Sequence, residues 1–184
     1  MKKITFNSPV ILTFLFLSFA ALVINNLTAG AANDLVFSVY HTSFTDPMQY
    51  VRLVTHVLGH ADMMHFASNM MIFLLVGPLL EEKYGSERIL QVILITSVVT
   101  GLVHILLSDN SALMGASGID FAFILMAGVT GNKKGIPLTM LLAAVLYIGT
   151  ELYNGVFALD DIAHFTHILG GCIGGMCGLA LHGQ

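Results

Sequence analysis

Long apolar segments separated by short polar breaks make up most of the chain. We predict a helix at each, because sustained apolar runs of about 20 residues are typical of membrane-spanning helices. Residues 28–55 lack a sustained period, which predicts a loop with short amphipathic pieces. The pattern therefore predicts an all-α, polytopic membrane protein, one domain over 1–184, with six transmembrane helices at about 9–27, 62–80, 89–107, 117–131, 136–153 and 162–181.

The fourth apolar segment is too short to cross a bilayer. From Ser117 to Gly131 it has 15 residues, or about 22 Å of helix, against a hydrocarbon core about 30 Å thick. Its start lies in the turn Gly115-Ala116-Ser117-Gly118. Irregular backbone at membrane depth is tolerated only where protein covers it or where it lines a water-filled cavity. We therefore predict that Ser117 lies in a hydrated site below the membrane surface.

Composition supports a membrane location. The chain is 56% hydrophobic and only 10% charged, whereas soluble domains have about 25% charged residues. Its net charge of −4 and the lack of a basic patch predict no nucleic-acid partner. For the first segment a signal peptide is the alternative, because Lys2 and Lys3 precede it and Ala29-Gly30-Ala31 resembles a cleavage site.

The basic residues predict how the chain is oriented in the membrane. With a cytoplasmic N-terminus, only Arg52 of the seven basic residues lies outside. Because cytoplasmic loops carry an excess of Lys and Arg, we expect both termini in the cytoplasm. The start of the fourth helix then opens toward the extracytoplasmic face. The basic residues inside are Lys2, Lys3, Lys83, Arg88, Lys133 and Lys134.

A histidine on the sixth segment matches the serine in depth. If that helix begins near Ile162, His167 lies about 7.5 Å below its start and His164 only about 3 Å. Below His167, Gly171 has no side chain on that face, and a small-xxx-small pattern lets two helices approach closely. Such contact brings the imidazole within reach of Ser117, as a nucleophile and its base require. The pattern is formed by Gly170, Gly174, Gly175 and Gly178.

The second segment adds two polar side chains on one face, His65 and Asn69, one helical turn apart. Together with the N–H of Ser117 they can form an oxyanion hole. The parts amount to a serine–histidine dyad without an acidic third member. That arrangement suits hydrolysis of an acyl bond, above all a peptide bond.

Other interpretations of these residues remain open. A serine in a membrane helix often serves only helix packing. His56, His60 and His65 are candidate metal ligands, although they lack the His-Glu-x-x-His arrangement of zinc proteases. We interpret Cys172 and Cys177, five residues apart on different helix faces, as small core residues. We therefore expect neither a metal nor a cofactor.

With these residues in place, the sequence resembles the rhomboid family of intramembrane serine proteases, over about residues 50–181. The turn at 115–118 fits the G-x-S-G nucleophile motif of that family. Arg52 fits the arginine of its first-loop motif. The other matches are His56-x3-His60-x4-His65-x3-Asn69 on the second helix and His167-Ile168-Leu169-Gly170 on the sixth.

The resemblance implies a multi-pass cell-membrane protease of the minimal six-helix bacterial type, with its site open to the extracytoplasmic side. Ser117 would attack a single-pass transmembrane substrate within the lipid bilayer, with His167 as general base and then general acid. His65 and Asn69 would bind the oxyanion, and no cofactor or metal would be needed. The supporting positions would be Gly115, Gly118, Phe121, Gly170 and Gly171. The alternative is an inactive relative that binds transmembrane helices.

Three positions depart from the family pattern. Val51 replaces the aromatic residue before the first-loop arginine, and Phe121 replaces the tyrosine on which the histidine ring packs. Phe121 keeps a ring for stacking but loses the hydroxyl. Asp120 is an acid in an apolar helix, which predicts either a water-filled cavity or a protonated carboxyl, because an unpaired buried carboxylate is costly.

Overall fold

A computed structural model of the chain describes residues 6–108, 111–130 and 161–181, and five isolated positions between the last two ranges. A π-helical turn at Asn33–Phe37 and a 3-10 turn at His56–Leu58 lie in the loop that follows the first helix. The α-helices of the described residues are α1 Pro9–Leu27, α2 Pro47–Thr55, α3 Met63–Tyr84, α4 Ser86–Leu107, α5 Ser117–Thr130 and α6 Asp161–Leu181.

The helix bounds agree with most of the predicted segments. Three helices, α1, α3 and α4, are long and apolar enough to cross a membrane. The fourth predicted segment is α5, which has only 14 residues, and the sixth is α6. The predicted helix at 136–153 lies almost entirely outside the described residues. The count of six spans and the cytoplasmic location of the termini therefore stay predictions.

Helix α1 belongs to the core of the bundle. Phe14 of α1 stacks on Phe73 of α3 with ring centroids 4.4 Å apart. Phe73 in turn contacts Phe123 of α5 at 5.2 Å. This row of aromatic rings ties together three helices and places α1 in the core of the bundle.

A carboxylate of α3 holds the beginning of α1. The Glu81 side chain accepts hydrogen bonds from the backbone N–H groups of Val10 (3.0 Å) and Ile11 (3.1 Å), and from the Ser86 hydroxyl (2.7 Å). The first N–H groups of a helix have no partner within the helix, so the buried Glu81 replaces the missing acceptors.

We expect Glu81→Ala to destabilise the fold, because it leaves buried N–H groups of α1 without acceptors. The expected loss is about 1–3 kcal/mol, measured as a lower midpoint of thermal unfolding in detergent. Glu82→Ala is the matched control, since Glu82 is the next residue and exposed. Equal midpoints for the two variants would contradict this account of α1.

Arg52 anchors the loop between α1 and α3. Its buried guanidinium donates hydrogen bonds to the Leu35 carbonyl (3.0 Å) and the Asp46 carboxylate (3.2 Å) and lies over the Tyr40 ring. Val51 beside it is exposed. The predicted amphipathic pieces of this loop are α2 and the π-helical turn, and the arginine fixes one against the other.

One prediction about the last helix is wrong. Cys172 is exposed rather than a core residue, because it lies on the outer face of α6. Cys177 is partly buried and packs against the core. Both thiols are free.

Candidate active site

The site is built where α5 and α6 meet, which is the most extensive helix contact in the described part of the chain. A Cβ atom added to Gly170 or Gly174 would overlap the α5 backbone, and one added to Gly178 would lie 3.2 Å from a Cα atom of α5. Only small residues permit such an approach. Gly175 takes no part, since no described atom lies within 4 Å of its Cβ position. The facing pairs are Gly170 with Gly118, Gly174 with Ala122, and Gly178 with Met126.

The close helix contact brings a hydroxyl and an imidazole together. Ser117 Oγ lies 2.7 Å from His167 Nε2, a hydrogen-bond distance. The serine is the first residue of α5, so it sits at the positive end of the helix dipole, beside N–H groups that have no partner within the helix. This arrangement can activate the hydroxyl and stabilise negative charge next to it.

Phe121 lies one turn further along α5 and contacts the His167 ring. The ring centroids are 5.6 Å apart and the planes are inclined at 46°. The contact suggested by the sequence is therefore present, but it is tilted rather than stacked. A phenyl ring can still limit the orientation of the imidazole from this side.

The two polar side chains of α3 lie beside the turn that precedes Ser117. A Cβ atom added to Gly115 would lie 2.7 Å from His65 Nε2 and 3.3 Å from Asn69 Nδ2. Gly115 also has φ +120°, a conformation that favours glycine. The Ala61 N–H donates to His65 Nδ1 at 3.4 Å, which leaves the proton of a neutral ring on Nε2. Both side chains thus present N–H donors toward the turn.

His60 holds Asn69 in place, a role that the sequence analysis did not assign. His60 Nδ1 lies 3.1 Å from the Leu58 carbonyl, and Nε2 lies 3.2 Å from Asn69 Nδ2. A neutral ring satisfies both contacts, because Nδ1–H donates to the carbonyl and Nε2 accepts from the amide. Burial lowers the pKa of His60 from 6.5 to about 4, so the ring is neutral at pH 7.

His56 forms a second buried contact near the site. Its Nδ1 lies 3.0 Å from the Arg52 carbonyl, and its own carbonyl accepts from Gly115 N–H at 3.0 Å. Burial also lowers its pKa, from 6.5 to about 4. His56 therefore ties the first loop to the turn that carries Ser117, again as a neutral ring.

We expect stability to fall as the pH drops from 6.5 toward 4. In that interval the unfolded histidines 56 and 60 take up protons, whereas the folded ones, with pKa values of about 4, stay neutral. Unfolding in detergent at several pH values measures the effect. The dependence of stability on pH should be shallower in His60→Gln. Equal stability of the wild type at pH 7 and 4.5 would contradict the assignment of His56 and His60 as buried neutral rings.

A small cavity adjoins the dyad. About 10 Å³ is accessible to the centre of a water molecule, which is room for roughly one water. Its lining includes Ser117, His167, His56, Thr100 and Thr166. The sequence offered no signal for the two threonines, since threonine is common in membrane helices. A hydrolytic reaction needs such room beside the serine.

The metal interpretation gains no support from the geometry. The rings of His60 and His65 meet edge to face, 5.1 Å apart. Within the part of the chain that the structure describes, no group of three or more His, Cys, Asp or Glu side chains is placed to hold a metal ion.

The chain matches a known protein family over most of its length. The family model described as the rhomboid domain matches residues 47–184, three quarters of the chain. The chain belongs to the rhomboid family. The match includes α5 and α6, which carry Ser117 and His167, and α2, which carries Arg52.

Three relatives show how far the likeness to this family extends. The chain is 28% identical to Rhomboid protease GluP of Bacillus subtilis over 93% of its own length and 34% of that protein. It is 30% identical to RHOMBOID-like protein 7 of Arabidopsis thaliana, over 69% of the chain and 41% of the relative. It is 26% identical to Rhomboid protease GlpG of Haemophilus influenzae, over 52% of the chain and 50% of the relative. The chain thus spans at most half of each relative, and two of the three are named as proteases.

Proposed function

We propose that this rhomboid-family chain is an intramembrane serine endopeptidase that cleaves transmembrane segments of single-pass membrane proteins near the extracytoplasmic face. The 2.7 Å contact between Ser117 Oγ and His167 Nε2 carries the proposal. Support for the protease class comes from the two relatives named as rhomboid proteases.

The dyad would act in two steps. In the first step His167 Nε2 takes the hydroxyl proton as Ser117 Oγ attacks the substrate carbonyl, and the imidazolium then protonates the leaving amine. In the second step the same imidazole deprotonates a water that attacks the acyl-enzyme ester. The cavity lined by Ser117 and His167 offers a position for that water.

The test of the proposed serine chemistry is covalent labelling. A fluorophosphonate probe should label the wild type in detergent or liposomes and should leave Ser117→Ala unlabelled. Labelling that persists in Ser117→Ala would show that another residue reacts. No labelling of the wild type would favour the alternative below.

Asn69 and His65 would donate to the oxyanion, and removing either should lower kcat. We expect Asn69→Ala to reduce kcat about 10²-fold with a smaller change in KM, because the negative charge exists only on the path to the intermediate. His60→Ala should lower kcat less, through loss of its 3.2 Å contact with Asn69. An unchanged kcat in both Asn69→Ala and His65→Ala, measured with a transmembrane substrate, would remove this assignment.

An inactive relative that binds transmembrane helices is the second candidate. One observation favours it: Asp120 is a buried acid on the same helix as Ser117, in a place where a polar group is costly. This candidate predicts that substrate binding persists in Ser117→Ala and that the wild type is not labelled by the probe.

A further inference from the structure

Asn33 is the first residue of the π-helical turn that follows α1, and it is buried. Its side-chain amide donates from Nδ2 to the His60 carbonyl at 3.0 Å and to the Met114 sulfur at 3.3 Å. His60 lies just before α3, and Met114 directly precedes the turn that leads to Ser117. One side chain therefore joins two segments of the candidate active site that are far apart in the chain.

The backbone of Asn33 is anchored on α1. Its N–H donates to the side-chain oxygen of Asn25 at 2.9 Å and to the Gly30 carbonyl at 3.1 Å. Asn25 is a buried residue of α1. These contacts belong to the backbone of Asn33, so a substitution of its side chain leaves them in place. The amide thus extends from a fixed point toward the site.

The loop around Asn33 also contacts both segments through its backbone. A Cβ atom added to Gly59 would overlap the Phe37 carbonyl oxygen, so the turn packs on the segment before α3 with no side chain between them. On the other side, Val39 and Leu113 exchange two backbone hydrogen bonds of 2.9 Å. The loop therefore lies between the two segments, and the Asn33 amide adds a side-chain link from one to the other.

The carbonyl that Asn33 binds belongs to the residue that holds Asn69. The His60 ring contacts the Leu58 carbonyl and Asn69 Nδ2, so a shift of the His60 backbone would carry this ring with it. Asn69 Nδ2 would then move relative to the turn at Gly115. A misplacement of about 1 Å near the reacting atoms can cost about 10²-fold in rate. The position of Asn69 thus depends on the amide of Asn33 through His60.

We propose that Asn33 is a positioning residue, which holds Asn69 through His60 at the distance from the Ser117 turn that an oxyanion requires. The inference rests on the proposed function, since it takes Asn69 as an oxyanion donor. Asn33 would act through His60 rather than on the reacting atoms. Its Oδ1 has no hydrogen-bond partner among the residues that the structure describes, so the side chain contributes through its N–H donors.

Asn33→Leu tests the proposal, because leucine is similar in size and has no donor. We expect kcat for a transmembrane substrate in liposomes to fall about tenfold, with a smaller change in KM. In an Asn69→Ala background the same substitution should lower kcat by less than about threefold, because the donor that Asn33 positions is already absent. An equal loss of kcat in both backgrounds would overturn the proposal.

Ser38→Ala is the matched control. Ser38 is a buried residue of the same loop, and its hydroxyl contacts the Met114 sulfur at 3.9 Å. This variant changes the contact with Met114 and keeps the one with His60, so kcat should stay close to that of the wild type. A loss equal to that in Asn33→Leu would overturn the proposal. If Asn33→Leu does not fold, Asn33→Ala removes the same donors without added bulk, and an unchanged kcat there would also overturn it.

A second measurement does not need catalysis, so the two proposals can fail separately. With ¹⁵N-labelled asparagine, the side-chain amide signal of Asn69 reports its contact with His60 in detergent micelles. We expect this signal to shift in Asn33→Leu and not in Ser38→Ala, and an unchanged signal in Asn33→Leu would overturn the positioning role. If the signal shifts but the wild type neither cleaves a substrate nor reacts with the probe, only the proteolytic chemistry is wrong. If the wild type cleaves and its kcat does not depend on Asn33, only the positioning role is wrong.

Discussion

Ser117→Ala and His167→Ala are each expected to reduce cleavage of a model transmembrane substrate about 10³-fold or more. In the proposed mechanism the hydroxyl is the nucleophile, and the imidazole is the described side chain within hydrogen-bond distance that would take its proton. Initial rates in liposomes measure the loss. Because the two groups act as one unit across a 2.7 Å contact, the double variant should be no slower than either single variant.

Matched controls separate this effect from loss of fold. Ser97→Ala removes a buried serine whose hydroxyl bonds only locally, to the Ile93 carbonyl at 2.7 Å. His41→Ala removes an exposed loop histidine. Both variants should cleave at close to the wild-type rate. Unchanged cleavage in either Ser117→Ala or His167→Ala would remove the dyad, whatever the controls show.

The sequence predicts those features of the fold that depend on local pattern. The lengths of α1, α3 and α4 follow from apolar runs, since the hydrocarbon thickness sets the number of residues needed. The short length of α5 follows from the same comparison of an apolar run with the hydrocarbon thickness. The contact of α6 with α5 follows from glycines four residues apart. Such glycines lie on one face of the helix and allow a neighbouring helix to approach closely.

Features that depend on contacts between distant residues could not be predicted in this way. The support that His60 gives to Asn69 depends on the path of a loop, and so does the anchoring of Arg52 on the Leu35 carbonyl. The tilt of the Phe121 ring and the exposure of Cys172 depend on the rotation of each helix about its axis. A pattern of small residues fixes that rotation only roughly. Gly175 is an example, because it belongs to the predicted glycine pattern but takes no part in the contact between α5 and α6.

Two neighbouring glycines of α6 should therefore respond in opposite ways to the same substitution. In Gly174→Ala the new methyl group would overlap the backbone of Ala122, so α5 and α6 must separate. Backbone cannot move aside as a flexible side chain can, and we expect a loss of about 1–3 kcal/mol in stability. The contact between Ser117 and His167 crosses the same interface, so probe labelling of Ser117 should fall sharply as well.

Gly175→Ala is the control one residue away. No described atom lies within 4 Å of its Cβ position, and alanine is favoured over glycine within a helix by about 1 kcal/mol. Thermal unfolding should thus be unchanged or slightly higher, with full labelling of Ser117. If Gly174→Ala kept both stability and labelling, close helix contact would not be what holds the dyad together. If Gly174→Ala kept its stability but lost labelling, a small shift of α6 would be enough to break the 2.7 Å contact between Ser117 and His167. The dyad would then be more sensitive to the position of α6 than the stability of the fold is.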